Sequence, residues 1–199
     1  MILPAGLMPL FPLRTVLFPG GVLPLRVFEA RYMDLATRCL KDDEVFGVNL
    51  IAEGAEVGAP ARPHPVGVSA RIASWDMPQP GLLTVVTHGE RRYRILRTET
   101  GPNGLLLAEV EWLAEPAPAE VPEDFSVLVT LLRAIVEDAG EGRFVQPHRF
   151  DDAVWVGLRY AELLPIPMLA RQRLLELDDP QGRLEIIRAY LDQRGLLGV

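Results

Sequence analysis

Very few side chains in this chain could act as nucleophiles or metal ligands. There are three serines, Ser69, Ser74 and Ser126, one cysteine, Cys39, and one lysine, Lys41. None of the serines lies in a Gly-x-Ser-x-Gly context, so the strained turn that would expose a nucleophile and aim backbone amides at an oxyanion has no sequence counterpart. Lys41 has no glycine-rich loop before it, which removes a phosphate-binding P-loop. His64, His88 and His148 occur singly. No histidine pair at helical spacing and no Cys-x-x-Cys exists, so no zinc site is expected. The acidic clusters Asp42-Asp43-Glu44 and Asp178-Asp179 lack the pattern of a calcium loop and read as helix ends or caps. No catalytic residue, metal or cofactor is expected.

Composition narrows the remaining classes. The chain has 199 residues, 49% of them hydrophobic, with a net charge of −7. An acidic balance opposes general phosphate-backbone binding, because counterion release needs a basic face. No run of about 18 apolar residues escapes interruption, so no membrane span is expected. The apolar start has no basic n-region, its first basic residue being Arg14, so no signal peptide is expected either. A single cysteine permits no intrachain disulfide, which suits a reducing cytoplasm.

The elements that would position these residues begin with a proline-punctuated run, Pro9 to Tyr32. Prolines at 9, 12, 19 and 24 exclude one long central strand. The run reads as two short strands, Leu13–Phe18 and Val22–Val27, turned at Pro19-Gly20-Gly21. A helix follows over Phe28–Lys41, with Tyr32, Leu35, Ala36, Cys39 and Leu40 on one face. Val45–Ile51 is a buried strand and 52–65 a loop. Val66–Trp75 alternates with period two. Leu82–Thr87, Arg91–Arg97 and Leu105–Leu113 complete about seven strands, the last hairpin turning at Asn103-Gly104. Residues 116–123 form a Pro-rich linker. Helices then run from Phe125 to Ala139, from an Asp151 or Asp152 cap to Leu164, over Met168–Leu177, and from an Asp179-Pro180 start to Gly195.

Several blocks carry a resemblance. Leu10-Phe11-Pro12-Leu13, Leu17-Phe18-Pro19-Gly20, Pro24-Leu25 and Phe28-Glu29-x-Arg31-Tyr32 occur in the order and spacing seen at the start of the Lon protease N-terminal domain. Val66-Gly67, Ala70-Arg71-Ile72, the block Gly89 to Leu96 and Ala108-Glu109-Val110 continue it. The chain therefore resembles the Lon N-terminal, substrate-binding family, in its stand-alone form. The resemblance implies an α+β fold. Residues 1–115 would form a PUA-like, mostly antiparallel β-barrel with an inserted helix, and 124–199 a C-terminal helical bundle. It also implies a non-catalytic, cytoplasmic polypeptide-binding or adaptor protein. Its partners would be unfolded or exposed hydrophobic segments, with a protease as a further candidate.

Two stretches admit a binding role. Within Gly89–Arg97, Arg92 and Arg94 share one strand face and Tyr93 and Ile95 the other. The stripe is either a solvated face over a buried Tyr/Ile pair or a patch for acidic peptide or RNA, the latter as a PUA-like module. The apolar N-terminal residues Leu13, Val16, Phe18, Leu23, Leu25 and Phe28 read mostly as core, with part left open as a groove between barrel and bundle. Leu17, Phe18, Trp75, Arg92 and Arg94 are the candidate peptide contacts.

Overall fold

Proline placement and side-chain alternation decide how the strands pair. The computed structural model describes residues 6–140 and 142–197. The chain divides into two units, one ending at Ala114 and the other starting at Glu115. The first unit contains β1 (Met8–Leu13), β2 (Val22–Val27), α1 (Ala30–Asp42), β3 (Phe46–Glu53), β4 (Arg62–Pro63), β5 (Val66–Gln79), β6 (Leu82–Thr100) and β7 (Leu106–Trp112). Their order in the sheet is β1-β7-β6-β5-β3-β4, with β2 added on β6. β3 also pairs with β1, in parallel, so the pairings β1-β7-β6-β5-β3-β1 run in a closed circuit; the others are antiparallel.

The first expected strand, Leu13–Phe18, is displaced. The strand is Met8–Leu13, which contains Pro9 and Pro12 and is buried throughout. β1 pairs with β7 over Met8–Leu10 and with β3 over Leu10–Leu13. Each proline therefore sits where β1 has a neighbour on one side only, and its missing N–H can face the unpaired side. The expected break at His88-Gly89-Glu90 is also absent, since β6 is continuous for 19 residues. Gly89 serves close approach instead. A Cβ there would run into the Phe18 carbonyl oxygen, and Gly89 N–H donates to Gly21 O at 2.9 Å.

The β-rich core gathers Met8, Leu10, Tyr93, Leu106 and Ala108. The Tyr93 hydroxyl donates to Asn49 Oδ1, and Asn49 Nδ2 donates to His64 O at 3.0 Å. This network satisfies polar groups that burial would otherwise penalise. α1 lays Tyr32, Leu35, Ala36 and Cys39 inward, and the Tyr32 ring stacks on Phe11 at 3.9 Å.

The second unit contains a 3-10 turn, Glu123–Phe125, then α2 (Ser126–Ala139), α3 (Ala153–Leu163), α4 (Met168–Glu176) and α5 (Pro180–Gln193). Asp152 caps α3 by accepting from Val154 N at 3.0 Å, and Asp179 caps α5 by accepting from Gln181 N at 3.1 Å. Asp152 precedes an apolar run, and Asp179 precedes a proline at the start of its helix. Phe125, Leu128, Leu132, Val156, Tyr160, Leu184 and Ile187 share one apolar cluster. The Tyr160 hydroxyl bonds Leu128 O at 2.7 Å. The stretch expected as a linker is tied down at its end, where Ala153 N donates to Ala119 O at 2.7 Å and Glu120 bridges to Asp152. The described fold is thus a mixed α and β chain with a mostly antiparallel sheet and five α-helices.

Candidate functional site

The outer edge of β2 opens onto a groove of about 340 Å³. One wall is β2 itself, Leu23 to Val27, continuing into Phe28. The buried Phe11, Leu13 and Tyr32 also line it, together with Thr15, Glu56 and Val57. Phe28 and Val57 are each 57% exposed. β2 has its register set by β6, with Leu23, Leu25 and Val27 opposite the buried Thr87, Val85 and Leu83. Period-two alternation then turns the next even position, Phe28, outward. Phe28 thus falls in the open part of an apolar set read mostly as core, and the alternation within Val22–Val27 is the signal that singles it out.

The residues beside Phe28 are anchors. Arg31, 8% exposed, pairs with Glu29 at 3.0 Å, donates to Gly104 O at 2.9 Å and lies 4.7 Å over the Tyr32 ring. Burial pushes the Tyr32 hydroxyl above its ordinary pKa, partly offset by Arg31. Across the groove, Arg14 N donates to Glu56 Oε1 at 2.5 Å. Phe28-Glu29-x-Arg31-Tyr32 thus presents one open ring held by three internally bonded neighbours.

The five residues expected to touch peptide are not brought together. Leu17 and Phe18 are buried, at 4% and 0% exposure, because the turn they lead into folds onto β6. Phe18 O accepts from Gly21 N at 2.9 Å, and Gly20 N donates to Gly89 O at 2.7 Å. Trp75 is 58% exposed on β5, opposite Val85, with Met77 two residues on and also open. Arg92 is buried and donates to Ala114 O at 3.1 Å, which corrects its place on a solvated face. Arg94 is exposed. Arg92 pairs with Val68, seven residues along β5 from Trp75, or roughly 23 Å at strand rise. The rest of the arginine stripe is engaged locally: Arg91 lies 4.8 Å over Trp112, and Arg97 pairs with Glu109 at 2.5 Å.

The residues with chemical potential occupy structural posts. The Ser69 hydroxyl is buried between the Arg91 amide, 3.1 Å, and the Arg91 carbonyl, 3.3 Å. Burial pushes the Cys39 thiol up to about 12, which leaves it protonated and unreactive at neutral pH. Lys41 is exposed at the end of α1. Among the described residues, no group of three or more His, Cys, Asp or Glu side chains could hold a metal ion. No helix among them is long and apolar enough to cross a membrane. The second unit has its own apolar groove of about 400 Å³, lined by Leu164, Ile166, Leu174, Leu177, Ile186 and Tyr190.

Comparison with known proteins is consistent throughout. Residues 8–193 match the ATP-dependent protease La (LON) substrate-binding domain. Lon protease 2 of Myxococcus xanthus is 27% identical over 198 residues, covering 94% of this chain and 24% of that protein. Lon protease 2 of Herpetosiphon aurantiacus is 29% identical over 198 residues, with 94% and 24% covered. The chain thus spans about a quarter of the length of these curated relatives, 24% in each case. Among solved structures, the crystal structure of a Lon N-terminal domain protein from Xanthomonas campestris is 37% identical with a TM-score of 0.77, covering 92% of this chain and 98% of that one. The N-terminal domain of a Mycobacterium avium complex Lon protease shares the fold at 19% identity, with a TM-score of 0.63 over 94% and 96% of the two chains. This chain belongs to the family of the Lon substrate-binding domain.

Proposed function

We propose that this chain is a non-catalytic polypeptide-binding protein of the cytoplasm, which holds unfolded or exposed apolar segments and acts as a recognition or adaptor element for a protease. The observation that carries this reading is the groove at β2, where Phe28 and Val57 stand open over an apolar floor. Membership of a substrate-binding family supplies the ligand class. In this reading the closed circuit of strand pairings is a small barrel, and α2 to α5 form a helical bundle.

Binding of this kind rests on area removed from water, at about 25 cal/mol per Å² before the ordering of the client is subtracted. It should therefore tolerate varied sequences and persist in salt. The test is a fluorescence-anisotropy titration with labelled, reduced and carboxymethylated lactalbumin, which stays unfolded in buffer. Saturable binding that survives raised salt is expected, whereas a phosphate-backbone mode would weaken steeply. No binding at roughly 100 µM, equivalent to about −5.5 kcal/mol, refutes the reading. Casein incubated with the protein, with and without ATP, should remain uncut; cleavage would overturn the non-catalytic part.

A further inference from the structure

We propose that the β2 edge receives its client as an added strand, and that Arg26 selects for a carboxylate on that strand. This rests on the groove reading above and specifies how the groove is used. β2 pairs with β6 on one side and with no strand on the other among the described residues. The register fixes which backbone groups are left over. Gly89 N–H donates to Gly21 O, and Gly21 and Gly89 continue the alignment of Val22 with His88. In an antiparallel ladder, hydrogen-bonded positions alternate, so Leu23, Leu25 and Val27 also turn their amides toward β6. The Thr87 hydroxyl donating to Leu23 O at 2.9 Å places that carbonyl on the β6 side as well. Val22, Pro24 and Arg26 then turn theirs toward the open groove.

Proline cannot donate, so this edge presents the Pro24 carbonyl with an amide and carbonyl from each of Val22 and Arg26. That is a half-guarded edge, one donor short of a full template for self-pairing. An extended client laid along it satisfies these groups by β-augmentation, and its alternate side chains drop onto Phe11 and Leu13. The remaining side chains of the client lie on the outer face, level with Arg26.

Charge specifies the partner further. Glu29 is neutralised by Arg31, and Glu56 is held by the Arg14 amide. Arg26, exposed on the wall, has no partner among the described residues. A carboxylate directly across from it on the added strand would form a cross-strand pair. The fitting occupant is an extended segment that alternates apolar with polar residues and carries an acidic group on its polar side.

The experiment uses a capped peptide alternating threonine and valine with a central glutamate, its lysine counterpart, and the glutamate peptide N-methylated at every residue. Wild-type protein should prefer the glutamate peptide about fivefold, and Arg26→Glu should reverse the preference. Arg26→Pro removes the open-edge donor and should weaken binding about tenfold beyond Arg26→Gln, which keeps it. The N-methylated peptide, with unchanged side chains and no donors, should not bind. The two peptide forms are compared on unaltered protein, so the result stands even if the proline variant misfolds. If methylated and unmethylated peptides bind alike, or Arg26→Glu leaves the glutamate preference intact, strand addition at Arg26 is wrong. The groove reading survives that outcome provided carboxymethylated lactalbumin still binds. If neither peptide nor lactalbumin binds, both readings fall.

Discussion

Replacing Phe28 or Phe18 with alanine should produce opposite patterns of loss, because the two rings sit in opposite environments. Phe28 is 57% exposed and Phe18 is 0% exposed. A phenylalanine side chain offers about 200 Å² for burial, so roughly 110 Å² of Phe28 remains open for a client. Covering it is worth about 3 kcal/mol gross, and about a third of that is offset by ordering the client. Phe28→Ala should therefore weaken binding of unfolded lactalbumin by about 2 kcal/mol, roughly thirtyfold in Kd. Its loss of folding stability should be only about 1 kcal/mol, since less than half of the ring is packed. Phe18→Ala should instead lose about 3–5 kcal/mol of stability through the cavity it leaves. Binding by whatever fraction of Phe18→Ala stays folded should be close to normal. The assay pairs urea denaturation followed by circular dichroism with anisotropy titration, all at a temperature where both variants are folded. If Phe28→Ala binds within threefold of wild type, or is destabilised as much as Phe18→Ala, the groove is not where clients are held.

Further outcomes test the packing of each unit taken by itself. Gly47→Ala would place a Cβ inside the Tyr93 hydroxyl and 2.6 Å from Leu10 Cδ2, so urea denaturation should show a loss of about 3 kcal/mol. Gly101→Ala, where the nearest atom is 3.4 Å away, should stay within about 1 kcal/mol of wild type. Burial raises the Cys39 thiol from 9.0 to about 12, so iodoacetamide at neutral pH should label it only on unfolding. The folded state holds this proton more tightly than the unfolded state. The thiol contribution is therefore complete below the ordinary value and falls as pH rises from about 9 toward 12, which equilibrium denaturation against pH would read. Asp152→Ala removes the oxygen that accepts from Val154 N and should lower stability by about 1 kcal/mol in the same assay.

Local rules were legible wherever one interaction decides the structure. Val22–Val27 is a strand with the bounds its alternation predicts, and α5 starts at Pro180 after an Asp179 cap as its first residues require. What escaped the sequence depends on neighbours distant in the chain. The solvated face expected at Arg92 and Arg94 assumed one open side, but Arg92 is enclosed and bonded to Ala114 O. Of the candidate contacts Phe18 and Trp75, Phe18 is enclosed and Trp75 open. Alternation in β2 leaves the even-numbered Pro24 and Arg26 exposed and the odd-numbered positions half-buried or buried, and that places the open ring at Phe28.

The prolines explain both the misread first strand and the open edge. A proline within a strand is tolerated where the position it would donate to is vacant. Pro9 and Pro12 lie on either side of Leu10, where β7 gives way to β3 as the neighbour of β1, and each has a neighbour on one side only. Pro24 occupies the same kind of position on β2, but there the vacant side opens onto the groove. A strand with an amide at that position would expose an unbroken row of donors and acceptors to any passing chain, including its own copies. Pro24→Ala should therefore bind clients more tightly and also self-associate. Sedimentation velocity of that variant at rising concentration would show dimers, whereas a monomer that binds no more tightly would mean that the outer edge of β2 is not what clients meet.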